Sequence, residues 1–164
     1  MSAVAPLSSS GLCPGTERCV FGGGGGLGGS VERRFASGLA VALGYDALFV
    51  DAGGVYEIGV AQFLRAAARY IFFPRRLLHL VIDAGVGALV FGETFRVAAV
   101  GAALQFGVGG ELEVTHAIAF TAALVTRVFT TTQFTSATDG AVRGEGATFD
   151  TALALQLGVQ IVEP

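Results

Sequence analysis

The feature that most constrains this chain is a two-residue alternation in which size and charge are divided between two faces. In GLAVALGYDALFV (residues 38–50), Leu39, Val41, Leu43, Tyr45, Ala47 and Phe49 fall on one face. Gly38, Ala40, Ala42, Gly44 and Asp46 fall on the other, before Leu48 ends the pattern. A period of two belongs to a strand, where successive side chains point to opposite sides. Ala-rich stretches such as Arg65–Arg69 suit a helix. Gly, however, recurs in nearly every segment, and the two-residue period is better kept than one of 3.6.

The pattern recurs along the whole chain. In residues 55–73, Tyr56, Ile58, Val60, Leu64, Tyr70 and Phe72 oppose Glu57, Gly59, Ala61, Phe63, Arg65 and Arg69. Further on, Leu80, Ile82, Val86 and Val90 oppose His79, Asp83, Gly85 and Gly87. Val100, Leu104, Phe106, Val108 and Leu112 oppose Gln105, Gly107, Gly109, Glu111 and Glu113. Ile118, Phe120, Leu124 and Val128 oppose Thr121, Ala123 and Arg127. Leu153, Leu155, Leu157 and Val159 oppose Asp150, Ala152, Ala154 and Gly158.

The run FGGGGGLGG (21–29) contains a G-x-G-x-x-G match that suggests a dinucleotide loop, with Asp51 at a suitable distance. Such a loop needs a helix directly after the glycines. Gly38 and the alternation from Leu39 onward leave no room for one. Gly22, Gly24, Gly26, Gly28, Ser30, Glu32 and Arg34 instead continue the small and polar face of a strand.

Which face is inside follows from what small residues are for. Only 14% of the 164 residues are charged, against roughly 25% in an ordinary soluble domain. A water-exposed surface has no need of Gly and Ala, whereas the interior of a narrow eight-stranded barrel has space only for side chains that fill it. The bulky face then meets lipid, and the inward charges are Glu32, Arg34, Asp46, Glu57, Arg65, Arg69, Asp83, Glu111, Arg127 and Asp150, with Glu113 beside them. Both signs occur, so they can pair across the lumen. Asp46 and Asp83 are the expected partners of Arg65 and Arg69. Tyr56, Tyr70 and Phe72 read as interfacial aromatics. The alternative is a soluble β-barrel with a small apolar ligand. No apolar run reaches the 18 or so residues of a membrane-spanning helix.

Connections differ in length. FASG, FPRRLLH and VTHA are short; Val50–Val55, Gly92–Thr94 and Thr130–Ala147 read as longer loops. Short turns at one end and long loops at the other are the pattern of periplasmic and extracellular ends.

With GGLGGSVERRF, GLAVALGYDALFV, LHLVIDAGVGALVFG and GVGGELEVTHAIAFTAAL, the chain resembles the small OmpA-type outer-membrane β-barrels of Gram-negative bacteria, from about Phe21 to Val162. The resemblance implies an all-β, antiparallel, up-and-down transmembrane barrel in the outer membrane. Its role would be structural, adhesive or that of a narrow channel. The lipid bilayer and the barrel-insertion machinery would be its partners. An extracellular partner of unknown identity would meet the 130–147 loop. Family members carry a signal peptide and end in an aromatic residue; MSAVAPLSSS and QIVEP show neither.

No catalytic, cofactor-binding or metal-binding residues are expected. Cys13 and Cys19 in CPGTERC lack zinc-ligand spacing, and an oxidising extracellular setting permits a disulfide between them. His79 and His116 sit at short turns, while Ser136 and Asp139 lie in a long loop without a histidine. A net charge of −3 and the absence of any basic stripe argue against nucleic acid.

Seven strands are legible: Val20–Phe35, Gly38–Phe49, Tyr56–Phe72, His79–Phe91, Phe95–Val114, Ala117–Phe129 and Thr148–Val162. Barrels of this kind close with an even number. Residues 1–19 read as an extracellular loop-like segment ahead of a 20–164 barrel domain. An eighth strand is therefore expected before residue 1, lost to a late start codon or a trimmed chain.

Overall fold

A computed structural model describes residues 1–8, 11–13, 18–73, 77–93, 96–115, 118–146 and 148–161. Ten strands occur among them: β1 (Ser2–Ser8), β2 (Gly24–Arg34), β3 (Leu39–Val50), β4 (Gly59–Phe72), β5 (Leu78–Glu93), β6 (Arg96–Thr115), β7 (Ile118–Phe129), β8 (Phe134–Thr135), β9 (Val142–Arg143) and β10 (Asp150–Ile161). Eight form a closed barrel in the order β1-β10-β7-β6-β5-β4-β3-β2, and β8 and β9 form a small ribbon. All neighbours are antiparallel.

The barrel confirms the expected all-β up-and-down class and corrects its strand count. The eighth strand is β1, within the segment read as a loop. It was hard to recognise because Pro6 interrupts it, and proline cannot donate to a ladder. The register of β1 on β10 shifts between Pro6 and Ser8, so the proline sits at a bulge, where a missing N–H is tolerated. The glycine run is likewise a strand: Gly24–Gly29 lies within β2, in register with Tyr45–Val50.

The facing assigned from alternation holds through the barrel wall. Leu43, Leu64, Val86, Phe106, Phe120, Leu155 and Val159 are exposed on the outside, while Ala42, Asp46, Ala67, Gln105, Glu111, Arg127 and Ala154 are buried inside. Gln62, a polar residue on the outer face of β4, is partnered by its neighbour on β3, since the Tyr45 hydroxyl donates to Gln62 Oε1 at 2.8 Å.

Glycines make the interior possible at two places. A Cβ on Gly28 would lie 2.0 Å from Asp46 Oδ1, and one on Gly107 would lie 2.1 Å from Asp83 Oδ2. Each glycine leaves room for a carboxylate on an adjacent strand.

One end carries tight connections. At the first of them Gly38, with φ of +82°, donates to Phe35 O at 3.0 Å. Among the described residues, the loop end holds 11–13, 18–23, 51–58, 130–146 and 148–149. The expected loop at Gly92–Thr94 is shorter than read, because the β5–β6 ladder continues to Glu93 opposite Arg96. His116 and Ala117 of VTHA, residues 74–76 of FPRRLLH, Thr94, Phe95, Ala147 and Val162 lie outside the described residues.

Candidate functional site

The lumen brings together charged residues from several strands, and it is divided along its height. Toward the turn end, β2 turns Glu32 and Arg34 inward two residues apart, and Arg34 Nε donates to Glu32 Oε1 at 2.7 Å. Arg34 also reaches across the lumen to Glu111 on β6, at 2.8 Å. Arg69 on β4 pairs with the second oxygen of Glu32. His79, buried beside Glu111 in the β5–β6 register, lies 3.7 Å from Glu113.

At mid-height Asp46 on β3 accepts from two guanidiniums. Arg65 Nε lies 3.3 Å away, and Arg127 reaches it from β7 on the far wall. Asp83 on β5 accepts from Gln105 at 2.8 Å. The carboxylates of Glu32, Asp46 and Glu111 thus pair with the guanidiniums of Arg34, Arg65, Arg69 and Arg127, while Asp83 takes the Gln105 amide and Glu113 stands beside His79. Each guanidinium is an always-charged planar fork, suited to bridging carboxylates in a confined space. A cavity of about 600 Å³ remains among these groups, lined by Glu32, Asp46, Arg65, Arg69, Asp83 and Gln105.

Toward the loop end the lumen becomes apolar. Leu48, Phe63, Leu89, Phe91, Val125 and Phe129 point inward and are buried. From above, the β1–β2 connection inserts Leu12, Val20 and Phe21, all completely buried. Phe21 packs edge-on against Phe129 and Phe91 at centroid distances of 5.3 and 6.2 Å. Arg127 joins the two halves: its guanidinium pairs with Asp46 on one side and lies 4.5 Å from the Phe63 ring centroid on the other.

Most of the sequence-assigned network is thus brought together, with three corrections. Arg65 pairs with Asp46 as expected, but Arg69 takes Glu32 as well as standing opposite Asp83 in register. Glu57 does not enter the lumen; it is exposed in the loop before β4, which begins only at Gly59. Asp150 is buried but belongs to the cap, where its Oδ1 accepts from Gly11 N at 2.8 Å. Tyr56, read as an interfacial aromatic, also belongs to the cap and packs against Phe91 at 6.2 Å. Tyr70 and Phe72 do pack together at the turn end, 4.8 Å between centroids.

The loops above the cap are knitted to one another. Arg143 makes a two-point contact with Asp139, at 3.0 and 2.6 Å, and donates to Arg18 O at 2.9 Å. Gly144 N donates to Gly11 O at 2.9 Å, and Gly22 N to Asp51 O at 2.7 Å. Cys13 and Cys19 form the expected disulfide, which ties the chain just after Leu12 to the chain just before Val20. The Arg143 hydrogen bonds hold the Asp139 carboxyl well below the usual carboxylate range. Burial raises the Tyr56 hydroxyl above its ordinary value. Ser136 is buried in this cluster.

Among solved structures, the chain is similar to the crystal structure of Neisserial surface protein A (NspA). The TM-score is 0.63 at 16% identity, over 98% of this chain and 92% of that one. No protein-family model and no curated protein sequence matches the chain. The similarity establishes the fold, a closed ring of eight antiparallel strands.

Proposed function

We propose that this chain is an integral β-barrel of the Gram-negative outer membrane, non-catalytic, whose role is structural or adhesive and whose loop end is its working surface. The observation that carries this reading is the inverted wall. Large apolar side chains surround the outside of a closed barrel, and charges of both signs, many of them paired, occupy the inside. In lipid every backbone polar group must be satisfied within the protein, and a closed barrel is one of the two structures that do so. The likeness to a surface protein from Neisseria points the same way.

A narrow-channel role draws less support, because the buried aromatics of the cap fill the lumen above the charge network. Catalysis draws none from the loop cluster, where Ser136 is buried and the described histidine, His79, stands at the opposite end. The soluble-barrel alternative needs an apolar cavity for its ligand, whereas the cavity inside this lumen is lined by charge.

The test is to refold the chain in detergent and in vesicles. The expected result is a detergent-dependent β-rich monomer that migrates differently in gels with and without boiling. In planar bilayers it should show no steady conductance. A monodisperse monomer in buffer without detergent would overturn the membrane assignment, and stable single-channel steps would restore the channel role.

A further inference from the structure

The outer wall is not evenly covered. The strand register lays its outward residues in rows that run around the barrel. One row is Arg33, Val41, Ala68, Ala84 and Phe106; the next toward the loop end is Val31, Leu43, Ala66, Val86 and Leu104. Ala66, Ala68 and Ala84 meet in the middle of these rows and form a low floor. Val31, Val41 and Leu43 rise on one side of it, and Val86, Leu104 and Phe106 on the other, all exposed. Between them runs a groove of about 760 Å³.

The groove has a direction. Arg33 lies one residue from the end of β2 at Arg34, Ala68 four from the end of β4 at Phe72, and Phe106 nine from the end of β6 at Thr115. The rows therefore climb from the turn end toward mid-height. They cross four strand spacings of about 4.8 Å, roughly 19 Å in all. One leaflet of hydrocarbon is about 15 Å deep. A groove that starts at the edge of the apolar belt and rises this far follows the path of an acyl chain.

Its lower end carries a charge. In these two rows and the rows directly above and below them, Arg33 is the one charged side chain. It is exposed, and its guanidinium carbon lies 6.0 Å from the centroid of the Phe35 ring. Its sequence neighbours Glu32 and Arg34 face the lumen and pair there. Among the described residues, no carboxylate neutralises Arg33. An arginine on the lipid face costs little only near the interface, where its head can reach the polar layer.

We propose that this groove binds one anionic phospholipid of the turn-side leaflet. One acyl chain lies over Ala68, Ala66 and Ala84, and the phosphate meets the Arg33 guanidinium. The proposal rests on the membrane reading above. A guanidinium offers two parallel N–H donors to phosphate oxygens. A zwitterionic headgroup is the poorer match, because its ammonium finds no carboxylate on this face. The hydrophobic effect does not hold the chain here, since the surrounding lipid is equally apolar. Retention comes from close contact along the alanine floor, which fills a furrow that bulk lipid packs loosely.

The experiment refolds the full chain into vesicles of phosphatidylcholine and phosphatidylglycerol in equal parts. Insertion is checked by the gel shift on boiling, and lipids retained after extraction in mild detergent are counted by native mass spectrometry. The unaltered chain is compared with Arg33→Gln, Ala84→Phe and Ala122→Phe, the last on the outward face of β7 away from the groove. The unaltered barrel should retain one phosphatidylglycerol, favoured over phosphatidylcholine about fivefold, the preference that one arginine supplies near an anionic surface. Arg33→Gln should abolish the preference, Ala84→Phe should leave neither lipid bound, and Ala122→Phe should change nothing. An inserted, unaltered barrel that retains no lipid, retains phosphatidylcholine as well as phosphatidylglycerol, or covers the groove with a second copy would overturn the proposal and leave the membrane reading standing. So would an Arg33→Gln or Ala84→Phe barrel that keeps the preference, or an Ala122→Phe barrel that loses it. A chain that does not insert would overturn both.

Discussion

The two halves of the lumen solve the same problem, filling a narrow barrel, by opposite means. The turn-end half is lined by ions that pair around a cavity of about 600 Å³, and the loop-end half is packed with aromatic rings that need no partner. In the first, each residue's contribution depends on groups contributed by other strands: Asp46 serves Arg65 and Arg127, and Glu32 serves Arg34 and Arg69. In the second, Phe21, Phe63, Phe91 and Phe129 make many small contacts, so that losing one leaves the rest in place. Buried ion pairs are costly to break and cheap to replace together; apolar packing degrades gradually.

The strongest way to break this comparison is Asp46→Ala. It leaves two guanidiniums without their shared carboxylate, and urea unfolding in vesicles should show a loss of about 3–5 kcal/mol. A loss below about 1 kcal/mol would mean that the network is held by water and not by ion pairing. Next is the wall that encloses both halves. Leu155→Arg, on the outward face of β10, should cost about 2–4 kcal/mol near the midplane, measured the same way. Phe21→Leu should cost less, about 1.5 kcal/mol or under, because the apolar half accommodates a change of shape. If Phe21→Leu outweighed Asp46→Ala, the ranking of the two halves would be reversed.

The smallest effect concerns the loop cluster. Asp139 has its pKa lowered chiefly by the hydrogen bonds from Arg143. A depressed carboxylate contributes stability that is full above its unfolded value and declines as pH falls below it, vanishing once the pH passes the folded value. Protection factors of the Phe134–Arg143 amides, corrected for the intrinsic pH dependence of exchange, should therefore be steady at neutral pH and fall only in acid, below the ordinary carboxylate range. A transition near pH 6 would exclude this pair as its source.

Much of the barrel was legible in the sequence because a period of two assigns every side chain to one of two faces. Leu43 and Asp46 are placed by parity alone. What parity does not supply is the stagger between distant strands. Arg34 finds Glu111 and Arg127 finds Asp46 across the lumen, and such pairings depend on barrel closure. Parity also runs on where strands have stopped. VYEI continues the alternation past the end of the ladder, so Tyr56 and Glu57 were assigned to faces of a strand that begins at Gly59. In SAVAPLS the signal is weak for the opposite reason, since Ala and Pro give little contrast between faces even though Val4 is buried. The cap was not legible at all. Its members Leu12, Val20 and Phe21 lie largely outside regular strands, and their burial comes from tertiary folding of the β1–β2 connection.

The knitting of the loops bears on recognition. Arg18, Asp51, Asp139 and Arg143 come from three separate stretches of chain, yet hydrogen bonds join the first connection to each of the other two. Whatever docks there meets a surface already set, and so pays little ordering entropy on binding. Its epitope is discontinuous. A synthetic copy of residues 130–147 lacks the Arg18 carbonyl and the Gly11 backbone that hold this loop in place, and would have to pay the cost of ordering itself before it could compete.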